Sequence, residues 1–252
     1  MSQPTERCRA CQDATPIFPF TMAFQPIVDL QESRIDAFEA LVRGPDGSGA
    51  GKVLSQVNAE NLYAFDQACR VKAIELAARL GMDRRLNINF LPNAVYEPRA
   101  CIRATLDAAA RTGFNPHRLT FEIVETEILS TPAHLLRIIA EYRSHGFQIA
   151  LDDFGTGYSG LARLAELKPD IVKLDRALTQ DCDQDPTRRA IIASMIALGT
   201  EIGIKVVVEG VERLGEVDVL RGLGVRFMQG FYFSKPLFEN ICTEDSIFSK
   251  PA

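Results

Sequence analysis

Residues 22–42 read Met-Ala-Phe-Gln-Pro-Ile-Val-Asp-Leu-Gln-Glu-Ser-Arg-Ile-Asp-Ala-Phe-Glu-Ala-Leu-Val. Two apolar runs, 22–28 and 37–42, have the length and composition of strands, and only the eight residues 29–36 separate them. A parallel neighbour needs a crossover of a dozen or more residues, so the two runs must form an antiparallel hairpin. Downstream the pattern changes. Strand-like runs at 86–90, 119–124, 148–151, 171–174, 205–208 and 225–228 alternate with helical periodicity near 60–80, 98–112, 132–145, 158–167, 187–203 and 213–223. Several helices are closed by glycine, at Gly81, Gly113, Gly146, Gly203 and Gly224. Strands joined by helices run parallel, and eight strands close a barrel whose interior side chains can fill. The expected fold class is α/β: a modified TIM (β/α)8 barrel with an antiparallel first strand.

The composition agrees with one such unit. The chain has 252 residues, 46% hydrophobic and 24% charged, with a formal net charge of −5 and a mean hydropathy of −0.01. Disordered, collagenous and membrane-spanning classes are excluded. No linker or repeat divides the chain, so residues 20–252 are expected to be a single barrel domain behind a poorly ordered tail, 1–19. The acidic balance argues against DNA or RNA duplexes as partners. Six scattered cysteines read as reduced thiols, and no secretion signal or membrane span is evident, which implies a cytoplasmic protein. Cys8 and Cys11 form a lone CxxC, at most half a zinc site.

Catalytic groups of such barrels sit at the C-terminal strand ends. Nearly every strand here carries a polar residue there: Glu39 and Arg43, Asn89, Glu122, Asp152 and Asp153, Lys173 and Asp175, Glu209, and Gln229. Any one acid could simply meet solvent at a strand end. So many carboxylates aimed at one volume would repel one another unless divalent cations neutralised them. The donors are carboxylates and one amide, so Mg²⁺ or Mn²⁺ is expected rather than zinc. His117, His134 and His145 fall in or beside helices, away from this set, and no GxSxG, Walker or GxGxxG motif is present.

These residues stand in the stretches Gln25-Pro26-Ile27-Val28, Glu39-Ala40-Leu41-Val42-Arg43-Gly44, Asn89-Phe90-Leu91-Pro92, Glu122-Ile123-Val124-Glu125, Asp152-Asp153-Phe154-Gly155-Thr156-Gly157-Tyr158-Ser159, Lys173-Leu174-Asp175, Glu209-Gly210-Val211-Glu212 and Gln229-Gly230-Phe231. In their order and spacing the chain, from about residue 20 to 240, resembles the EAL-domain cyclic di-GMP phosphodiesterases. The resemblance implies two Mg²⁺ or Mn²⁺ ions and hydrolysis of cyclic di-GMP to linear pGpG, which terminates the second-messenger signal. It implies that Glu39, Asn89, Glu122 and Asp152 hold one ion and Asp152, Asp153 and Glu209 the other. Lys173 resembles the lysine that contacts the attacking water. Gln25 and Arg43 resemble the substrate-contacting pair, and Asp175, Glu212 and Gln229 join the substrate and water surroundings. Glu125 resembles the acid that anchors the glycine-bearing loop 154–160, a loop tied in this family to homodimer formation. Leu91 and Gly160 depart from the serines common at those positions, without touching the metal-ligand set.

The competing reading is a non-catalytic cyclic di-GMP receptor that signals through protein contacts. Such proteins usually lack some metal ligands, whereas every ligand type is present here. With only about 20 residues before the barrel and no receiver, light-sensing or cyclase segment, regulatory input is expected from an upstream partner, dimerisation or transcription.

Overall fold

β1 (Thr21–Asp29) and β2 (Arg34–Arg43) pair antiparallel along their whole length in the computed structural model, which describes residues 18–95, 97–124, 132–157 and 160–249. Both strands run further into the turn than their apolar cores indicate. The connection is only 30–33, with Ser33 in the left-handed region at φ 48°. Pro26 sits mid-strand, where a missing N–H would break a ladder flanked on both sides. β1 avoids this because its second edge pairs only at its two ends.

β3 (Arg85–Asn89), β4 (Leu119–Val124), β5 (Gln148–Phe154), β6 (Ile171–Leu174), β7 (Lys205–Val208) and β8 (Phe227–Met228) continue from β2, each parallel to its neighbour. β8 then meets β1 antiparallel at Val28 and Asp29, which closes the eight-stranded barrel. A short ninth strand, β9 (Leu237–Phe238), covers the other end of β1 at Ala23 and Phe24. The fold is thus the expected barrel with its first strand reversed. β8 is shorter than the sequence implies because residues 224 and 225 complete the preceding helix end: Gly224 has φ 81° and Val225 N–H donates to Leu220 C=O at 3.0 Å.

Around the barrel run α1 (Ala50–Leu54), α2 (Leu62–Arg79), α3 (Pro98–Thr112), α4 (Pro132–Ser144), α5 (Gly160–Leu167), α6 (Arg176–Thr179), α7 (Pro186–Ile202), α8 (Leu214–Gly222) and α9 (Glu244–Phe248). The short α1, α6 and α9 are the helices without a sequence-level counterpart. The main core lies between helices and strands, with Phe90, Phe121, Tyr142 and Phe147 in mutual ring contact at 4.8–6.1 Å. Beneath them Arg70 is buried in a pair with Asp66, and its Nη1 donates to Tyr142 Oη at 3.1 Å.

A second, separate apolar cluster fills the barrel itself: Ile27, Ala37, Ala150, Ile171 and Val207, all buried. Each lies two residues from a polar residue of the site, Gln25, Glu39, Asp152, Lys173 or Glu209, on the same face of its strand. This cluster is the floor on which the polar layer rests.

Candidate metal centre and substrate cleft

Strand pairing sets the polar layer. Gln25 and Glu39 are partners across β1 and β2, and Asn89 and Glu122 across β3 and β4. At the centre is Lys173, fully buried. Its Nζ lies 2.7 Å from Glu209 Oε1, 3.0 Å from Glu122 Oε2, 3.2 Å from Glu39 Oε2 and 3.2 Å from Asp152 Oδ1. Burial alone would lower its pKa, but Asp152, Glu122, Glu209 and Glu39 together outweigh that and push it well above the usual lysine value.

The carboxylates divide by environment. Glu39 is buried too, yet Lys173, the Gln229 amide at 2.7 Å and the Asn89 amide at 3.0 Å hold its pKa below the ordinary value. Glu122 and Glu209 are pushed well above it, by burial first and by the neighbouring acids, against the pull of Lys173. Asp152 is raised by burial and by Glu39. One ammonium against four carboxylates leaves an excess of negative charge in a small volume, an arrangement that further positive charge stabilises.

Asp152 and Asp153 are consecutive, and regular alternation would send them to opposite faces. The ladder between β5 and β6 is irregular from Leu151 to Phe154, and Asp153 adopts φ 54°, so a bulge turns both carboxylates toward the same mouth. Burial, then Asp152 and Asp175, push the Asp153 carboxyl up to about 6. Two carboxylate triads result, Glu39–Glu122–Asp152 and Asp152–Asp153–Glu209, each with oxygens within 4.8 Å of one another. Asp152 belongs to both.

Above the triads opens a cleft of about 270 Å³, bordered by Gln25, Gln229, Arg176, Glu212 and Phe231. Gln229 donates to Glu39, while its buried Oε1 has no hydrogen-bond partner among the described residues. Gln25 Nε2 donates to the Ser234 carbonyl at 3.1 Å. The structure therefore brings together Gln25, Glu39, Asn89, Glu122, Asp152, Asp153, Lys173, Glu209, Glu212 and Gln229. Arg43 is half-buried at the end of β2, its guanidinium donating to the Val42 carbonyl at 2.7 Å, and is not among the cleft-lining residues. Asp175 caps α6 by accepting the Ala177 N–H at 2.7 Å. Glu125, Tyr158 and Ser159 lie outside the described residues, as do Cys8 and Cys11. Among the described cysteines, Cys69, Cys101 and Cys182 are free thiols.

Sequence reasoning passed over three residues that shape the site. Asn87 Nδ2 donates to Glu122 Oε1 at 2.8 Å, one layer below Asn89. Arg176 Nη2 pairs with Glu212 Oε2 at 2.9 Å on the rim. Asp66 Oδ1 accepts the Leu91 N–H at 2.9 Å, fixing the backbone just beyond Asn89. Asn87 could have been found from its two-residue spacing to Asn89; nothing in the sequence marks the other two.

The EAL domain family matches residues 11–236. This chain belongs to the EAL family. Its fold superimposes on a standalone EAL protein of Vibrio cholerae O395, in a c-di-GMP bound form, with a TM-score of 0.89 and 46% identity over 94% of this chain and 100% of that one. Klebsiella pneumoniae BlrP1, in a manganese/cyclic di-GMP complex, matches with a TM-score of 0.84 and 35% identity, covering 89% of this EAL chain and 58% of BlrP1. The Cyclic di-GMP phosphodiesterase RocR of Pseudomonas aeruginosa is 41% identical over 162 residues, which cover 64% of this chain and 41% of RocR. The EAL chain spans about half the length, or less, of the curated relatives it matches. Among the described residues no helix is long and apolar enough to cross a membrane.

Proposed function

We propose that this EAL domain hydrolyses one phosphodiester bond of cyclic di-GMP to give linear pGpG, using two divalent cations. The observation that carries the reading is Asp152, whose carboxylate belongs to both acidic triads at the mouth of the barrel. A set built from carboxylate oxygens and one amide fits hard Mg²⁺ or Mn²⁺. Glu39, Asn89, Glu122 and Asp152 would hold one ion, and Asp152, Asp153 and Glu209 the other. Two such ions, when bound, lower the pKa of a water molecule and offset charge on the non-bridging phosphate oxygens.

The chain's own groups supply the rest. Lys173, kept protonated by its neighbours, acts as a donor and not as a base. It draws the carboxylates to one centre and offers its protons to a water at the reacting phosphate. The free Oε1 of Gln229 is an acceptor that can orient that water. Gln25 and Glu212 border the cleft that takes the substrate, with Arg43 and Asp175 outside its lining, and the BlrP1 and Vibrio complexes support cyclic di-GMP as that substrate. Residues 20–252 act as one cytoplasmic domain and pair as a homodimer.

The test is direct. Purified protein is incubated with cyclic di-GMP and Mg²⁺ or Mn²⁺, and the nucleotides are separated by chromatography. Metal-dependent appearance of linear pGpG supports the reading. Tight binding with the cyclic dinucleotide unchanged would make the protein a receptor.

A further inference from the structure

Arg176 is the cationic side chain among the residues lining the cleft. Lys173 is unavailable to a ligand's outer charges because four carboxylates enclose it. Arg43 is turned onto its own strand. Arg176 is half exposed, and its guanidinium is held over the opening by Glu212 at 2.9 Å. Its stem crosses the backbone at Gly210, directly after Glu209. Gly210 has φ 66°, and a Cβ there would come within 2.4 Å of Arg176 Cγ. The absence of a side chain at residue 210 is what lets the arginine lie across the cleft.

Cyclic di-GMP carries two phosphodiesters, and only one can be the reacting group. The other brings a negative charge to a mouth that already holds Asp153, Glu209 and Glu212. A guanidinium that grips a carboxylate has the fork geometry that the two non-bridging oxygens of a phosphodiester match. We propose that Arg176 is the anion anchor for the second, non-reacting phosphodiester, with Glu212 holding the guanidinium in place while the cleft is empty. This rests on the cyclic di-GMP reading above. It makes Arg176 a specificity-determining residue, favouring substrates with two phosphodiesters over those with one.

The experiment compares wild type, Arg176→Gln and Arg176→Lys on cyclic di-GMP and on bis(p-nitrophenyl) phosphate, a diester with no second phosphate. Equilibrium binding of cyclic di-GMP in EDTA is measured alongside. For Arg176→Gln we expect KM and Kd for cyclic di-GMP to rise about 10-fold or more, the loss of a charge-assisted hydrogen bond, with kcat within about 2-fold. The efficiency on bis(p-nitrophenyl) phosphate stays at the wild-type value, and Arg176→Lys recovers part of the affinity. Equal losses on both substrates would place Arg176 at the reacting phosphate and overturn the proposal. Unchanged KM and Kd would reduce it to a rim ion pair and overturn it as well. If wild type binds cyclic di-GMP without cleaving it, hydrolysis fails while the Kd comparison still decides the role of Arg176.

Discussion

Lys173 Nζ lies 2.7 Å from Glu209 Oε1, with their side chains only 1% and 16% exposed. A single ammonium is therefore the internal counter-ion for acids contributed by four strands. Replacing it by the similarly long, uncharged Lys173→Met leaves those acids uncompensated. Removing one partner of a buried pair costs about 3–5 kcal/mol, so the metal-free melting temperature should drop sharply. Saturating Mg²⁺ or Mn²⁺ should restore most of the loss without restoring activity. Equal destabilisation with and without metal would show that the loss does not come from the missing positive charge.

The Asp153 carboxyl, raised by burial to about 6, sets a pH window. An acid whose folded pKa exceeds its unfolded value binds more protons when folded, so its contribution to stability falls as pH rises from about 4 to about 6 and then levels off. Below about 6 a cation must also displace that proton. Affinity for Mn²⁺ should therefore fall about 10-fold per pH unit on this group's account. Asp153→Asn should flatten the slope and leave the metal-free protein as stable or more so near neutral pH. Calorimetric Mn²⁺ titrations of both proteins near pH 5 and 7 check the sign. An unaltered slope in the variant would assign the linkage to Glu122, Asp152 or Glu209.

Glu39 accepts from Asn89 and Gln229 and pairs with Lys173, so its charge is favoured in place. Glu39→Gln retains the size but loses the charge and points an amide N–H₂ at the donors Lys173 and Gln229. The Mg²⁺ concentration for half-maximal rate should rise about 10-fold or more, the size of loss seen when ligand surroundings are disturbed. Metal titration of the rate measures it, and a wild-type curve would remove Glu39 from the metal set.

Asp66 and Arg70 supply a prediction about stability. Asp66→Ala would strand the Arg70 charge in the core and deprive the Leu91 N–H of its acceptor. About 3–5 kcal/mol should be lost. Adding Arg70→Met should recover part of it, which a double-mutant cycle from urea melts would reveal as coupling. Strict additivity would mean that the two side chains do not depend on one another.

The hairpin and the strand–helix alternation were legible because each rests on periodicity and connection length. Element ends were less so, for reasons visible in single residues. β5 reads as ending at Leu151 because two acids follow, but the bulge at Asp153 absorbs the irregularity and pairing resumes at Phe154. The apparent start of β8 at residue 225 belongs to a helix end, and β9 has two residues and no period at all. Within the site, the acids were found because each stands at a strand end. Asn87 sits one layer deeper, where only its two-residue spacing to Asn89 marks it. Arg176 gains its place from Gly210, thirty-four positions away in the chain.

The apolar floor of Ile27, Ala37, Ala150, Ile171 and Val207 has a kinetic consequence. A plugged barrel is a blind well, with one door for arrivals and departures. Whatever is made at the carboxylates must leave by the opening through which its precursor came. While it lingers there, the next molecule waits outside. Inhibition by the reaction product should accordingly be competitive, and turnover should respond to changes at the rim even when the chemistry beneath is untouched.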